Sequence, residues 1–133
     1  MSLFVDTSIW YAAADSSDRA KQILSAGEPL VTTDHILIES WTLLRYRIGR
    51  PAAERFWLAL RGGVATIETV VLPDLDAAWK IGQDFSDQDF SIVDRTSFAV
   101  MRRLGIQRVA SLDAHFAIFR FGPGRRLAFA VVR

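Results

Sequence analysis

The sequence lacks cysteine altogether and contains only two lysines and two histidines among its 133 residues. Without cysteine the chain forms neither disulfides nor thiolate metal sites, and it has no cysteine nucleophile. Any metal site must therefore use oxygen ligands or the two histidines, His35 and His115. The chain also has no glycine-rich phosphate-binding loop of the Walker type.

Long apolar runs are absent too, and none approaches the roughly 20 residues that a membrane-spanning helix requires. No basic segment precedes an apolar stretch near the N-terminus, so no signal peptide is expected. Half of the residues are hydrophobic, which is sufficient for a core, and single domains commonly contain ~100–150 residues. We therefore expect a cytoplasmic protein without membrane contact that forms a single domain over residues 1–133.

The net charge is only +1, but fourteen of the sixteen basic residues are arginine. The planar fork of arginine suits phosphate groups, so this bias would suit a nucleic-acid partner. A genomic base composition that favours arginine codons would produce the same excess. Charge therefore does not by itself identify a nucleic-acid-binding protein.

Short apolar or β-branched segments alternate along the chain with longer segments of helical periodicity. The predicted strands are residues 3–5, 30–31, 66–72, 108–112 and 127–132. The predicted helices are residues 8–14, 17–26, 34–48, 51–61, 74–85, 91–104 and 114–119. This alternation is typical of an α/β fold with a mostly parallel central sheet and helices on both faces.

Four acidic residues occupy positions where such a fold would bring them together. Asp6 and Asp113 directly follow predicted strands. Ligands of open α/β sheets bind outside the carboxyl ends of the strands, where the strand order reverses, so both residues should lie on that edge. Glu39 and Asp94 lie in the second and first turns of predicted helices that begin beside the same edge.

Each of these acids also has an ordinary structural explanation. Asp6 would cap the helix that follows it, and Asp113 would serve as a turn residue. The segment SIVD matches a capping box, in which the Asp94 carboxylate bonds back to the amide of Ser91. Glu39 would be unremarkable if it faced solvent, although a buried glutamate would need a partner. Taken singly, none of the four identifies a functional site.

Taken together, four carboxylates at one sheet edge would repel one another unless a positive charge lay among them. Hard divalent cations such as Mg²⁺ and Mn²⁺ bind carboxylate and water oxygens, and Mg²⁺ keeps several of its waters. A bound cation lowers the pKa of such a water and stabilises the charge that develops in phosphoryl transfer. The chemistry that fits this set is metal-assisted phosphodiester hydrolysis.

Four segments of the chain resemble, in their order and spacing, the PIN-domain nucleases and more narrowly the VapC-type toxin ribonucleases. These segments are FVDTSIWYA, TTDHILIESWTLL, DFSIVDRTSFAVMRRLGI and VASLDAHF. The resemblance extends from residue 3 to about residue 119. It implies a three-layer α/β/α sandwich that cleaves single-stranded RNA with Mg²⁺ or Mn²⁺. It also implies a homodimer and silencing by a small antitoxin protein encoded beside the toxin.

The resemblance also assigns roles to individual residues. It implies an acidic catalytic and metal-binding cluster of Asp6, Glu39, Asp94 and Asp113. Within that cluster, Asp6 and Asp94 are expected to bind the metal directly. Ser8 corresponds to the small hydroxyl residue that lines the same site, whereas Thr7 is expected only to shape the turn.

Several assignments stay open at this point. Asp89 begins the third segment and His115 lies near the end of the fourth, and either of them would assist the site or serve only the local structure. Arg45, Arg47 and Arg50 favour a helix C-terminus electrostatically, and a role on the RNA backbone is the alternative.

Two functions compete with that of a toxin. One is a nuclease of RNA processing or decay, and the other is a catalytically silent module that binds protein. A haloacid-dehalogenase-type phosphohydrolase is set aside, because it needs a second aspartate where this chain has Ser8.

Overall fold

The computed structural model describes all residues from Met1 to Arg133. Its five strands are β1 (Leu3–Val5), β2 (Leu30–Thr33), β3 (Thr66–Glu68), β4 (Arg108–Ala110) and β5 (Ala130–Val132). They form one parallel sheet in the order β3-β2-β1-β4-β5. The order reverses at β1, because the chain first moves outward to β3 and then returns to the other side of β1.

Seven α-helices connect or follow these strands. They are α1 (Thr7–Ala14), α2 (Asp18–Leu24), α3 (Asp34–Arg47), α4 (Arg50–Arg61), α5 (Leu72–Asp84), α6 (Ile92–Leu104) and α7 (His115–Ile118). A short 3₁₀ helix spans Pro123–Arg125. Right-handed crossovers place α1 to α4 on one face of the sheet and α5 to α7 on the other. Accordingly α1 packs on α2 and α3, α3 packs on α4, and α5 packs on α6.

The predicted α/β/α sandwich is confirmed, and the parallel sheet has no antiparallel strand. The central strand β1 is buried along its whole length, as is Ala110 at the end of β4. Continuous burial is typical of a parallel strand covered on both faces, and it fixes the end of each strand firmly. Trp10 is part of the core, whereas Trp79 on α5 is 66% exposed.

The prediction of a strand over residues 66–72 is wrong beyond Glu68, because α5 begins at Leu72. Pro73 lies in the first turn of α5, and the Asp74 carboxylate accepts a hydrogen bond from the Val71 amide. These helix-start signals outweigh the strand preference of the preceding β-branched residues. The predicted strand 127–132 likewise begins only at Ala130.

The strand predicted over residues 108–112 ends at Ala110, so two residues separate Asp113 from β4. Ser111, rather than Asp113, is therefore the residue that directly follows the strand. None of the helices has both the length and the apolar character required to cross a membrane.

Candidate active site

A cleft of about 650 Å³ opens beyond the ends of β1 and β4, where the strand order reverses. This is the position at which open α/β sheets bind their ligands. The cleft is lined by all five site residues that the sequence suggests, namely Asp6, Ser8, Glu39, Asp94 and Asp113. The convergence expected from the sequence is therefore present in the fold.

Asp6 reaches the cleft as the N-cap of α1, directly after β1, and is only 5% exposed. Its Oδ2 accepts hydrogen bonds from the hydroxyls of Ser8, at 2.8 Å, and Ser111, at 2.9 Å. Oδ2 also accepts a longer bond of 3.4 Å from the Ser8 amide. The capping role and the place in the cleft therefore belong to the same carboxylate.

Ser111 was not singled out by the sequence, although the strand register explains its position. Val5 pairs with Ala110 across β1 and β4, so the next residues, Asp6 and Ser111, lie side by side. Ser111 could have been found by aligning the ends of the two strands, because the residues that directly follow neighbouring parallel strands lie side by side. Ser8 adds a second link, because its hydroxyl accepts a 2.9 Å hydrogen bond from the Leu112 amide.

Asp94 lies in the first turn of α6 and is 7% exposed. The predicted capping box is present: the Asp94 amide donates to Ser91 Oγ, and Asp94 Oδ2 accepts from the Ser91 amide, both at 3.0 Å. The same Oδ2 lies 2.7 Å from Nδ1 of His115. As with Asp6, the structural role and the place in the cleft coexist.

Both aspartates thus use Oδ2 for their hydrogen bonds to the protein and leave Oδ1 without a partner. Neither Oδ1 is a fully buried unpartnered atom, and both residues line the cleft. Each carboxylate is therefore held in place by one oxygen and offers the other to a ligand. This arrangement suits metal coordination, in which outer hydrogen bonds orient the ligating group.

Asp113 and His115 complete this side of the cleft. Asp113 Oδ1 accepts a 2.8 Å hydrogen bond from the His115 amide, and the Asp113 amide donates to Ser111 Oγ at 3.0 Å. One potential ligand atom from each of Asp94, Asp113 and His115 lies within 4.8 Å of the others. Asp6 and Glu39 are not members of this closest group.

Five titratable groups of the cleft nevertheless influence one another's pKa values. They are Asp6, Glu39, Asp94, Asp113 and His115. Burial raises the pKa of Asp6, the hydrogen bonds from Ser8 and Ser111 oppose that rise, and the charge of Asp94 adds to it. Burial also raises the pKa of Glu39, and the charges of Asp6, Asp94 and Asp113 raise it further. Burial and the neighbouring carboxylates therefore both disfavour the charged forms of Asp6 and Glu39.

The pKa of His115 is raised by the same acidic surroundings, whereas burial acts on it in the opposite sense. Burial lowers its pKa, but the hydrogen bond to Asp94 and the charges of Asp113, Asp94 and Asp89 together raise it above the ordinary value. Asp89 is exposed and does not line the cleft, so it acts only through its charge. His115 was left open by the sequence, and the structure places it within hydrogen-bonding distance of Asp94.

Thr7 differs from the expectation that it would only shape the turn. It is 6% exposed, it lines the cleft, and its Oγ1 makes no hydrogen bond of good geometry. The hydroxyl is close enough to Glu39 to lower the pKa of that carboxyl in part. A buried hydroxyl without a partner costs free energy unless a ligand or water satisfies it.

These features fit a hard divalent cation. The available donors are carboxylate oxygens, two of them held in place and free on one side, and mutual repulsion between the acids calls for positive charge. Mg²⁺ and Mn²⁺ prefer such oxygen ligands. Asp6, Asp94 and Asp113 would hold the cation, and Glu39 and Thr7 line the same cleft.

A family model described as PIN domain matches residues 3–122 of the chain. Curated relatives include the 23S rRNA-specific endonuclease VapC20 of Mycobacterium tuberculosis, from strains CDC 1551 / Oshkosh and ATCC 25618 / H37Rv. Each is 36% identical to this chain over 124 residues, which cover 90% of the chain and 95% of the relative.

Solved structures agree with this match. The crystal structure of Mycobacterium tuberculosis VapC20, described as a Sarcin-Ricin loop cleaving toxin, has a TM-score of 0.81 and 35% identity, covering 87% of this chain and 93% of that one. A toxin-antitoxin complex from Klebsiella pneumoniae has a TM-score of 0.68 at 15% identity and covers 84% and 87%, which shows a shared fold. The resemblance read from the sequence is confirmed: the chain belongs to the PIN-domain family and is similar to its VapC-type endonucleases.

Proposed function

We propose that this protein is a metal-dependent endoribonuclease and the toxin of a toxin-antitoxin pair. The observation that carries the proposal is the cleft in which Asp6 and Asp94 each present an unbonded Oδ1 beside Glu39 and Asp113. The relatives named 23S rRNA-specific endonuclease support RNA as the substrate class. All four acids are present in the cleft, which disfavours a catalytically silent protein-binding module.

The residues of the cleft divide the work of phosphodiester hydrolysis. When bound, Mg²⁺ or Mn²⁺ would supply Lewis-acid activation of the phosphate and a water of lowered pKa. Asp6 and Asp94 would hold the cation through Oδ1, while Ser8, Ser111 and His115 keep these carboxylates oriented.

Glu39 is placed differently from the aspartates. The only protein group that stabilises its charged form is the nearby Thr7 hydroxyl, which lowers its pKa in part. Its pKa is raised by burial and by the neighbouring acids, so it accepts a proton more readily than an ordinary glutamate. We assign Glu39 as the group that takes a proton from the attacking water.

A cleavage assay with and without Mn²⁺ tests the proposal directly. Suitable substrates are a single-stranded RNA and a 23S rRNA fragment that contains the sarcin-ricin loop, the target that the VapC20 structure names. Wild type should cleave at least one of them only with metal, and Asp6→Asn should reduce cleavage to background. Asp87→Asn, in an exposed loop outside the cleft, serves as the matched control. Metal-independent cleavage by Asp6→Asn would refute the assignment.

The toxin role requires its own experiment. Induced expression in bacteria should arrest growth with wild type and not with Asp6→Asn, and co-expression of a small protein encoded immediately upstream should relieve the arrest. Cleavage in vitro without any effect on growth would instead favour a role in RNA processing or decay.

A homodimer is also part of the proposal. Exposed apolar side chains occur on α3 and α4, with Ile38 56% and Leu58 70% exposed, and on α5, with Leu72 75% exposed. Ile38 lines one shallow pocket together with Trp41 and Trp57, and exposed apolar surface of this kind commonly marks an interaction site. Light scattering at micromolar concentration should report twice the chain mass of 14.9 kDa.

A further inference from the structure

The cleft extends beyond the acids as a groove between α1 and α3, which pack against each other. Glu39, Leu43 and Arg47 all line it and are spaced by four residues, so they share one face of α3. At a rise of 1.5 Å per residue, Arg47 lies about 12 Å along the helix from Glu39. Tyr11 follows Thr7 by four residues on α1 and lines the groove beside Arg47.

Arg47 is the only lysine or arginine that lines the cleft. Five carboxylates line it as well, namely Asp6, Asp15, Glu39, Asp94 and Asp113. A nucleic-acid strand that brings one phosphate to the acidic end has further phosphates along the groove, and these need a positive partner of their own. Within the groove, only Arg47 offers a side chain that always carries positive charge.

The Arg47 guanidinium is positioned without being consumed by another interaction. Its Cζ lies 5.5 Å from the centre of the Tyr11 ring, a cation–π arrangement, and Arg47 makes no salt bridge or side-chain hydrogen bond. Arg47 is exposed and Tyr11 is half-buried. The planar guanidinium of Arg47 is therefore oriented by Tyr11 and free to bind a phosphate in a bidentate manner.

We propose that Tyr11 and Arg47 form a subsite for a nucleotide that flanks the cleaved bond, in which Arg47 binds a backbone phosphate and Tyr11 stacks on a base. The inference rests on the proposed ribonuclease function and specifies where the strand runs. Stacking on an aromatic ring combined with a backbone cation is a common way of holding single-stranded nucleic acid.

Arg45 provides a control that distinguishes RNA binding by Arg47 from a general effect of positive charge at the C-terminus of α3. It lies in the same last turn of α3 and is exposed like Arg47, yet it does not line the cleft. If the arginines serve only the C-terminus of α3, removal of either one has the same small effect. If Arg47 binds RNA, only its removal weakens the use of substrate.

The test compares kcat/KM of wild type, Arg47→Ala and Arg45→Ala on an RNA substrate shortened stepwise from each end. At one end of the substrate, shortening removes the nucleotide that binds to Tyr11 and Arg47. This should lower the wild-type kcat/KM by roughly 10-fold, chiefly by raising KM. Arg47→Ala should show that loss on the full substrate and no further loss on shortening. Its binding should also depend less on salt, with the slope of log K against log salt reduced by about 0.7.

Conservative variants distinguish base stacking by Tyr11 and phosphate binding by Arg47 from an effect of these residues on the stability of the fold. Tyr11→Phe keeps the ring and should retain kcat/KM. Tyr11→Leu should lower kcat/KM on the full substrate and not on the shortened one, a length dependence that lost packing against the core would not produce. Arg47→Lys should keep the salt slope and recover only part of the affinity.

Two results would overturn the inference, and they are distinguishable. If wild type cleaves RNA but Arg47→Ala matches wild type and Arg45→Ala on every substrate length, the subsite is wrong and the nuclease stands. If wild type cleaves no RNA with Mn²⁺, the proposed function fails and the subsite fails with it.

Discussion

Nδ1 of His115 lies 2.7 Å from Oδ2 of Asp94, which joins the start of α7 to the first turn of α6. The same oxygen accepts the Ser91 amide of the capping box. Since a carboxylate oxygen accepts both hydrogen bonds, Nδ1 carries a proton and does not itself bind metal. We therefore regard His115 as a positioning residue. It holds the Asp94 carboxylate by Oδ2 and leaves Oδ1 of Asp94 available to the cleft.

His115→Ala should weaken metal-dependent cleavage by about 10–100-fold, the usual effect of losing a partner that orients a metal ligand. The half-saturating Mn²⁺ concentration should rise, because Asp94 is then held only by the Ser91 amide. A Mn²⁺ titration of the cleavage rate measures both effects. His35→Ala is the control, since His35 lies outside the cleft. An unchanged Mn²⁺ requirement in His115→Ala would contradict the positioning role.

Asp6→Asn should raise the melting temperature of the metal-free protein at neutral pH by about 2–8 °C, equivalent to about 1 kcal/mol. Burial raises the pKa of Asp6 in the folded state above its ordinary value of 3.8. The folded state therefore binds the proton more tightly than the unfolded state, and stability falls as pH rises from 3.8 through the folded pKa. Asparagine avoids this loss, and its side-chain oxygen still accepts hydrogen bonds from Ser8 and Ser111.

Thermal unfolding in EDTA at several pH values checks this expectation. The advantage of Asp6→Asn should be full at pH 7.5 and should shrink as pH falls toward 3.8. Added Mg²⁺ should stabilise wild type, because it binds only the folded cleft, and should have little effect on Asp6→Asn. A wild type that is insensitive to Mg²⁺ would argue against the metal site.

The sequence predicted those parts of the site that follow from local patterns. Asp6 and Asp94 both lie in local signatures, a strand end and a capping box, and both signatures are present in the structure. Capping uses only one oxygen of each carboxylate, so it is compatible with the proposed ligation by the other. The sequence could not distinguish these roles, since the division of labour between Oδ1 and Oδ2 depends on tertiary contacts.

The residues that the sequence missed are those whose position depends on contacts between distant segments. Ser111 became visible only through the pairing of Val5 with Ala110. Arg47 was named by the sequence with a role on the RNA backbone as one alternative, but its place in the groove became visible only through the packing of α1 on α3. The end of β3 was misplaced because β-branched residues continue past Glu68 while the signals for α5 begin at Val71. Strand preference there yields to helix capping, which is a local competition that pattern alone does not resolve.

Ser97→Ala should stabilise the protein by about 0.5–1 kcal/mol without loss of activity. Ser97 lies in α6, is fully buried, and its hydroxyl has no hydrogen-bond partner. Alanine removes this unsatisfied group and has a higher helix propensity. Ser17→Ala is the matched control of opposite sign, because Ser17 caps α2 by accepting the Ala20 amide at 3.2 Å, and its loss should cost about 1 kcal/mol. Urea unfolding of both variants checks the pair.

Arg103→Met should destabilise the protein by about 1–3 kcal/mol and leave cleavage unchanged, because Arg103 lies outside the cleft. The guanidinium binds both oxygens of Asp74 at 2.9 Å, and Asp74 is only 2% exposed. Its removal leaves a buried carboxylate without its ion-pair partner. The side chain of Arg103 is 37% exposed, so solvent reduces the cost below that of a fully buried pair.

The pH dependence of this loss identifies its origin. The hydrogen bonds from Arg103 lower the pKa of Asp74 below 3.8, so the stabilisation is present above pH 3.8 and is lost as pH falls through the folded pKa. Urea unfolding should therefore show a smaller difference between wild type and Arg103→Met at pH 3 than at pH 7. Arg61→Met, at the exposed end of α4, should differ little from wild type at either pH. A deficit in Arg103→Met of the same size at pH 7 and at pH 3 would mean that the arginine acts by packing alone.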